Sequence, residues 1–383
     1  MVTIKDVARE AGVSVATVSR VHNRRDVVNE DTRRRVAEVA ARLGYSPHGA
    51  ARSLITSETN TIGVLLPDLY GEFFSEVIRG IDQTAQRHGY HLLISSSHDE
   101  EREIDAALRS MRGRVDGLIV MAPRLGAREA VANLADDFPL VLLNCAVDDA
   151  PFDAITVGNF DGARAMVRHL VALGHRRVAI ITGAERNYDA AERRRGYRDA
   201  LREAGIKPHA AWEARGDFGE ESGYRAAQQL LAARPRPTAI FAANDAMAIG
   251  ALSALRESGV RVPEDVAVAG FDDIPMARYM SPPLSSVHVD ISALGEHATT
   301  RLVESVRRAG RRERPREGRH ETMPTWLVVR DSCGGVRAAA AASTPPPKDG
   351  RPTTTATGRR AAGGRRRSRA EKKSSRGTRR STT

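Results

Sequence analysis

GVSVATVSRVHN, residues 12–23, decides how the first part of this chain folds. Val13-Ser14-Val15-Ala16 alternates apolar and small polar residues as a half-buried strand does, whereas Val18 and Val21 lie three apart as on a helix. The flanks favour the helix. Ile4, Val7, Ala8 and Ala11 give one apolar face behind Thr3, a capping residue with Asp6 three positions on. Another helix is expected from near Asp31, with Val36, Val39, Ala40 and Leu43 on one face and Gly44 at its end. A strand wedged between them would lack a partner. A helix starting at Ser14 needs none, because Ser is a good N-cap and Gly12 accepts the positive φ of a tight turn. Ala8, Gly12 and Val18 then have the spacing of a helix-turn-helix: a small residue for close crossing, a turn glycine, and an aliphatic residue packing back. Val15, Ala16, Thr17, Ser19 and Arg20 face outward. Hydroxyls suit phosphates, Arg suits the O6/N7 edge of guanine, and small apolar groups suit thymine methyls. From spacing alone, an ordinary solvated helical bundle stays open beside DNA binding.

Charge is distributed unevenly. The chain of 383 residues has a net charge of +11, of which residues 335–383 supply +12. Residues 1–55 sum to +4 and residues 56–334 to −5, so a basic head and tail flank an acidic middle. Only 5 of the 59 basic residues are Lys, so Arg richness by itself is not taken as a functional sign. No run of about 18 apolar residues and no leader-like start is seen, and a cytoplasmic protein is expected. Cys145 and Cys333 form neither a disulfide framework nor a zinc motif. No cofactor or metal is expected.

From residue 61 apolar runs alternate with amphipathic segments. The runs are TIGVLLP, YHLLIS, VDGLIVM, PLVLLN, RVAIIT, TAIFAA and DVAVAGF, with helical patterns at 73–88, 160–173, 188–204, 219–233 and 245–258. This is the pattern of α/β parallel sheets covered by helices. There are strands enough for two sheets, joined near 156–160, with a ligand cleft at the carboxyl ends of the strands. The last 49 residues hold one Val and no Leu, Ile, Met, Phe, Tyr or Trp, and are expected to stay disordered. Enzyme motifs of the G-x-G-x-x-G, P-loop, G-x-S-x-G and H-E-x-x-H types are absent, and HDEERE at 98–103 reads as a solvated helix start. No enzyme is expected.

TIKDVAREAGVSVATVSRVHN and DTRRRVAEVAARLGYSPHGAARSL resemble the head of the lactose-repressor (LacI/GalR) family. The resemblance continues through TIGVLLPD, FFSEVIRGI, VDGLIVM, ALGHRRVAIITG, AANDAMAIGAL, VPEDVAVAGFDD and PPLSSV, in the family's order, over about residues 2 to 331. It implies an all-α helix-turn-helix head at 1–46, a hinge helix and linker at 47–60, a two-lobed periplasmic-binding-protein-like core at 61–334, and the basic tail at 335–383. It further implies a homodimeric repressor on a pseudo-palindromic double-stranded DNA operator, controlled by a small ligand. That ligand is expected to be a sugar, with a nucleobase, another metabolite or no effector as the alternatives.

By the same resemblance Ser14, Val15, Ala16, Thr17, Ser19, Arg20, Asn23, Tyr45 and Arg52 contact DNA, and Leu54 is a minor-groove wedge carried by a hinge helix too short to be stable alone. From residues alone the segment reads as a plain linker rather than a hinge helix. His22 departs from a usually aliphatic position, Ile55 from a commonly basic one, and Gly158 from a common Asp. Arg193, Asn244 and Asp272 match ligand-contacting positions and offer a forked donor, an amide and a carboxylate for sugar hydroxyls, with Phe218 as an apolar face. Asn244 reads equally as a helix cap, Asp272 as a turn residue and Arg193 as a solvated one. Phe73 and Phe74 face either the cleft or the core. The tail lacks the leucine heptads by which some relatives form tetramers, and its arginines suggest sequence-independent DNA affinity or a solvated appendage.

Overall fold

The computed structural model describes residues 2–23, 28–45, 58–98, 100–124, 138–145, 152–311 and 318–335. The expected hinge helix with Arg52, Leu54 and Ile55 lies outside these residues, as does the tail beyond 335.

The opening stretch is helical. Among the described residues the head is formed by α1 (Ile4–Glu10), α2 (Val15–Asn23) and α3 (Glu30–Arg42). The Asp6 carboxylate starts α1, accepting from the Thr3 N–H at 3.0 Å and its hydroxyl at 2.7 Å. Gly12 turns the chain at φ +62°, a conformation a Cβ resists. Ser14 Oγ then accepts from the Thr17 N–H at 3.1 Å, the N-cap bond that opens α2. Helix α3 begins just before the expected Asp31, because Asn29 accepts from the Thr32 N–H at 2.9 Å and caps it first. Val7, Ala8, Ala11, Val18, Val21, Val36, Val39 and Ala40 form the buried centre, with Val7, Val18 and Val36 wholly inaccessible. Ser14→Ala is expected to destabilise the head by about 1 kcal/mol, the usual worth of a Ser cap; an unchanged urea midpoint for the head would refute the capping role.

Among the described residues twelve strands follow, in two six-stranded sheets. The first has the order β11-β5-β4-β3-β1-β2, built from β1 (Thr61–Leu66), β2 (His91–Ser96), β3 (Gly117–Met121), β4 (Leu140–Leu143), β5 (Asp153–Val157) and β11 (His320–Met323), all parallel. The second has the order β12-β10-β9-β8-β6-β7, from β6 (Val178–Thr182), β7 (Glu213–Arg215), β8 (Ala239–Ala242), β9 (Ala267–Asp272), β10 (Ser285–His288) and β12 (Trp326–Val328). Only the β10–β12 pair is antiparallel. The central strands are buried on both faces, which is why they read as unbroken apolar runs. Gly196 lets the helix Tyr188–Glu203 lie against the helix Asn159–Ala172, since a Cβ there would stand 2.3 Å from the Phe160 carbonyl oxygen.

Among the described residues the chain passes between lobes three times, at 158, 289–290 and 324–325. The expected junction near 156–160 is the first of these. The two later passages return the long helix Ile291–Gly310 and β11 to the first lobe, then β12 to the second. Two crossing segments are tied together, the Gly158 N–H donating to the Met323 carbonyl at 3.0 Å and Thr325 Oγ1 to the Gly158 carbonyl at 3.3 Å.

Candidate functional site

On the head, α2 presents Val15, Ala16 and Arg20 to solvent, with Val15 42% exposed, while Val18 and Val21 point into the core. Ala16 and Arg20 are one turn apart and so share a face. Ser14 is exposed but its Oγ is engaged by the Thr17 N–H and lies 2.9 Å from Thr17 Oγ1, so these hydroxyls serve the helix start first. Thr17 and Ser19 are half-buried. Asn23 closes α2, its side chain lying outside the described residues together with that of His22. Tyr45 packs against the head's apolar centre, and this burial raises its hydroxyl pKa.

In the core, a cavity of about 810 Å³ opens between the lobes at the carboxyl ends of the strands. Phe73, Phe74, Arg193, Phe218, Asn244 and Asp272 all line it. The first lobe supplies Phe73 and Phe74, whose rings meet edge to face at 5.5 Å and also pack on the main core, so both readings of these residues hold. Asn244 likewise does two jobs. Its Oδ1 accepts from the Met247 N–H at 3.0 Å as a cap, while Nδ2 donates to the Phe218 carbonyl at 3.0 Å and fixes the loop carrying that ring.

Arg193 is no solvated helix residue. It is 3% exposed. Its Nε donates to Asn159 Oδ1 at 2.8 Å, Nη1 to the Ala243 carbonyl at 2.5 Å, and Nη2 stands 3.1 Å from Asp272 Oδ1. The guanidinium carbon lies 3.7 Å from the centre of the Phe271 ring, a stacked cation–π arrangement.

Sequence reasoning missed Asp189. Asn159 Nδ2 donates to its Oδ1 at 2.7 Å, and it lines the same cavity. The signal was available: Asp189 precedes Arg193 by four positions, one turn away on the same helical face. Burial pushes the Asp189 and Asp272 carboxyls up to about 6, with Arg193 opposing the rise in both and the charge of Asp189 adding to it at Asp272. Behind them Asp245, fully buried, accepts from Ser286 Oγ at 2.6 Å and the Ile274 N–H at 2.9 Å; burial drives its carboxyl well up.

Three non-glycine cavity residues have positive φ, His98 at +47° among them. Phe218 has φ +77° and Asp272 φ +104°, outside the region comfortable for a side chain, as often found where a ligand is gripped. The lobes also touch directly. The Tyr188 N–H donates to the Pro123 carbonyl at 2.8 Å, and the Met276 N–H donates to Glu72 Oε2 at 2.9 Å across the cavity mouth.

Residues 3–48 match the profile of bacterial regulatory proteins of the lacI family, and residues 167–333 that of a periplasmic binding protein-like domain. The HTH-type transcriptional repressor PurR of Erwinia tasmaniensis is 39% identical over 311 residues, 80% of this chain and 91% of PurR. The HTH-type transcriptional regulator GalS of Salmonella typhimurium is 40% identical over 301 residues, 78% of this chain and 88% of GalS. Among solved structures, the Lac repressor dimer bound to operator and the anti-inducer ONPF superposes with a TM-score of 0.75 at 32% identity, covering 87% of this chain and 99% of that one. The complex of the transcriptional regulator CelR with cellobiose gives 0.65 at 30% identity, covering 87% and 100%. With a helix-turn-helix head in front of a two-lobed effector core, this chain belongs to the LacI family of DNA-binding transcriptional regulators.

Proposed function

We propose that the protein is a homodimeric cytoplasmic repressor whose grip on a pseudo-palindromic operator is set by a small carbohydrate in the interlobe cavity. The observation that carries this reading is the convergence of Arg193, Asn244, Asp272 and Asp189 at the strand ends of one lobe, facing Phe73 and Phe74 of the other. Carboxylate, amide and guanidinium are the groups that bind neighbouring hydroxyls, and aromatic rings cover a sugar's apolar face. The cellobiose carried by the CelR neighbour supports the same ligand class. Val15, Ala16 and Arg20 are the base-reading side chains, and Ser14, Thr17 and Ser19 the phosphate-facing ones.

A ligand shifts operator affinity only by binding one lobe arrangement better than the other. Couplings of about 1–3 kcal/mol, or roughly 5- to 150-fold in affinity, are typical of such sensors. The glutamate bond at the cavity mouth and the Tyr188–Pro123 bond are contacts that lobe opening breaks, so they belong to the equilibrium the ligand biases. Leu69, Tyr70, Met276 and Tyr279 are large apolar residues left exposed, 44–74% accessible, on one chain. Such residues are what a second copy covers, and the Lac repressor neighbour is a dimer.

Selection of the operator from random duplex DNA, followed by binding with carbohydrates and nucleobases added in turn, tests the whole reading. The selected site is expected to hold two inverted half-sites about one helical turn apart. A single half-site binding as tightly as the pair would refute the dimer. Response to a nucleobase and to no sugar would replace the carbohydrate by the flat ligand that Phe73, Phe74 and Phe218 could also sandwich.

A further inference from the structure

Asp68, Glu72, Asp189, Asp217, Glu220 and Asp272 line the cavity, against Arg193 as the single guanidinium among its described residues. Arg193 brings no surplus positive charge to a ligand. Its Nη2 is matched by Asp272, its Nε and Nη1 are taken by Asn159 and Ala243, and Asp189 stands beside it on the same helix face. His98, the other basic group on the wall, is held by Glu103 at 2.6 Å. Carboxylates accept hydrogen bonds and donate none, so this wall rewards hydroxyl and ammonium donors. A phosphate adds about −1.5 to −2 charge, and like charges a few ångströms apart in a partly dry cavity repel strongly.

We infer that the cavity takes a polyol without negative charge, a neutral or amino sugar, and turns away the phosphorylated and uronic acid forms of that sugar. The two deepest carboxyls, Asp189 and Asp272, support this, because burial already burdens their charged forms before any anion enters. The inference deepens the carbohydrate reading above and rests on it.

The test is calorimetry on the full-length protein at neutral pH with a panel of neutral mono- and disaccharides. Each binder is then measured as its amino, 6-phosphate, uronate and 6-O-methyl forms. The neutral and amino forms are expected to bind, with the phosphate and uronate weaker by roughly tenfold or more. The 6-O-methyl ether, larger but uncharged, is expected to stay near its parent. Glu220→Gln, a change at a half-buried position on the cavity rim, is expected to narrow the gap between neutral and anionic forms. A phosphate or uronate that binds as tightly as the parent overturns the charge rule and leaves the sugar site standing. So does an ether as weak as the phosphate, since size would then explain the loss. A panel with no binder overturns the carbohydrate reading itself, and this inference with it.

Discussion

Arg193→Ala is expected to abolish the effector response and to destabilise the core by about 3–5 kcal/mol, the cost of breaking a buried ion pair from one side. The variant strips Asp272 and Asp189 of their nearest countercharge and leaves Asn159 Oδ1 and the Ala243 carbonyl without a donor. It also empties the space over the Phe271 ring. The pH dependence separates charge from packing. Both carboxyls stand at about 6 in the folded protein, above the ordinary 3.8, so the folded state holds more protons between those values. Stability therefore falls as pH rises through that window, and the penalty is complete above about 6. Without Arg193 the two carboxyls rise further, so acidification rescues the variant more than the parent. Urea titrations from about pH 7 down to about pH 5 are expected to show the gap between them narrowing. A gap independent of pH would mean that the guanidinium acts through packing alone. Arg193→Lys keeps a charge but loses the planar fork, so stability is expected to recover in part and effector response to stay lost.

Arg20→Ala is expected to weaken operator binding without unfolding the head, since Arg20 is exposed and the apolar centre beneath it is untouched. A side chain reading the edge of guanine contributes about 1–3 kcal/mol per contact. A dimer loses two such contacts, about 2–6 kcal/mol in all, or between roughly 30-fold and more than 10,000-fold in affinity. The informative readout is specificity. Selection with the variant is expected to relax one base pair in each half-site while the others stay fixed. Uniform weakening across sequences, with a shallower salt dependence, would instead place Arg20 on a phosphate.

The head was readable because its signals are local: Gly12, Ser14 and the small residue Ala8 each act within one turn of where they stand. The runs that became β1, β3, β4, β6, β8 and β9 were readable because strands buried on both faces carry unbroken apolar sequence, and the half-buried edge strand β2 because it keeps the apolar run LLI. Strands β5, β7, β10, β11 and β12 were not. Strand β10 is SSVH, yet Ser285 and Ser286 are wholly buried, because Ser285 Oγ donates to the Arg330 carbonyl at 3.0 Å and Ser286 Oγ to Asp245. Strand β11 is HETM, polar at an edge, and β7 and β12 have three residues each, too short for any period to register. In the cavity, Arg193, Asn244 and Asp272 were legible by family pattern, whereas Asp189 offered only its i, i+4 spacing to Arg193, a signal that a solvated helix face carries as often. Asn244 caps its helix as the local reading expects, while its other amide atom holds the Phe218 loop, a long-range partner that no local pattern announces.

The threefold passage between lobes governs the order in which a growing chain can complete its parts. Strand β5 has no outer neighbour until residues 320–323 have been made, and β10 waits for residues 326–328. Neither sheet is finished until almost the whole core has left the ribosome, and such late, long-range pairing is intrinsically slow. The head's apolar centre, by contrast, is drawn entirely from residues 7–40. A synthesis cut short anywhere between the first strand and β11 therefore yields a fragment holding the DNA-reading unit and neither completed lobe. For a protein whose purpose is conditional binding, the sensor is the last thing to exist and the first to be lost.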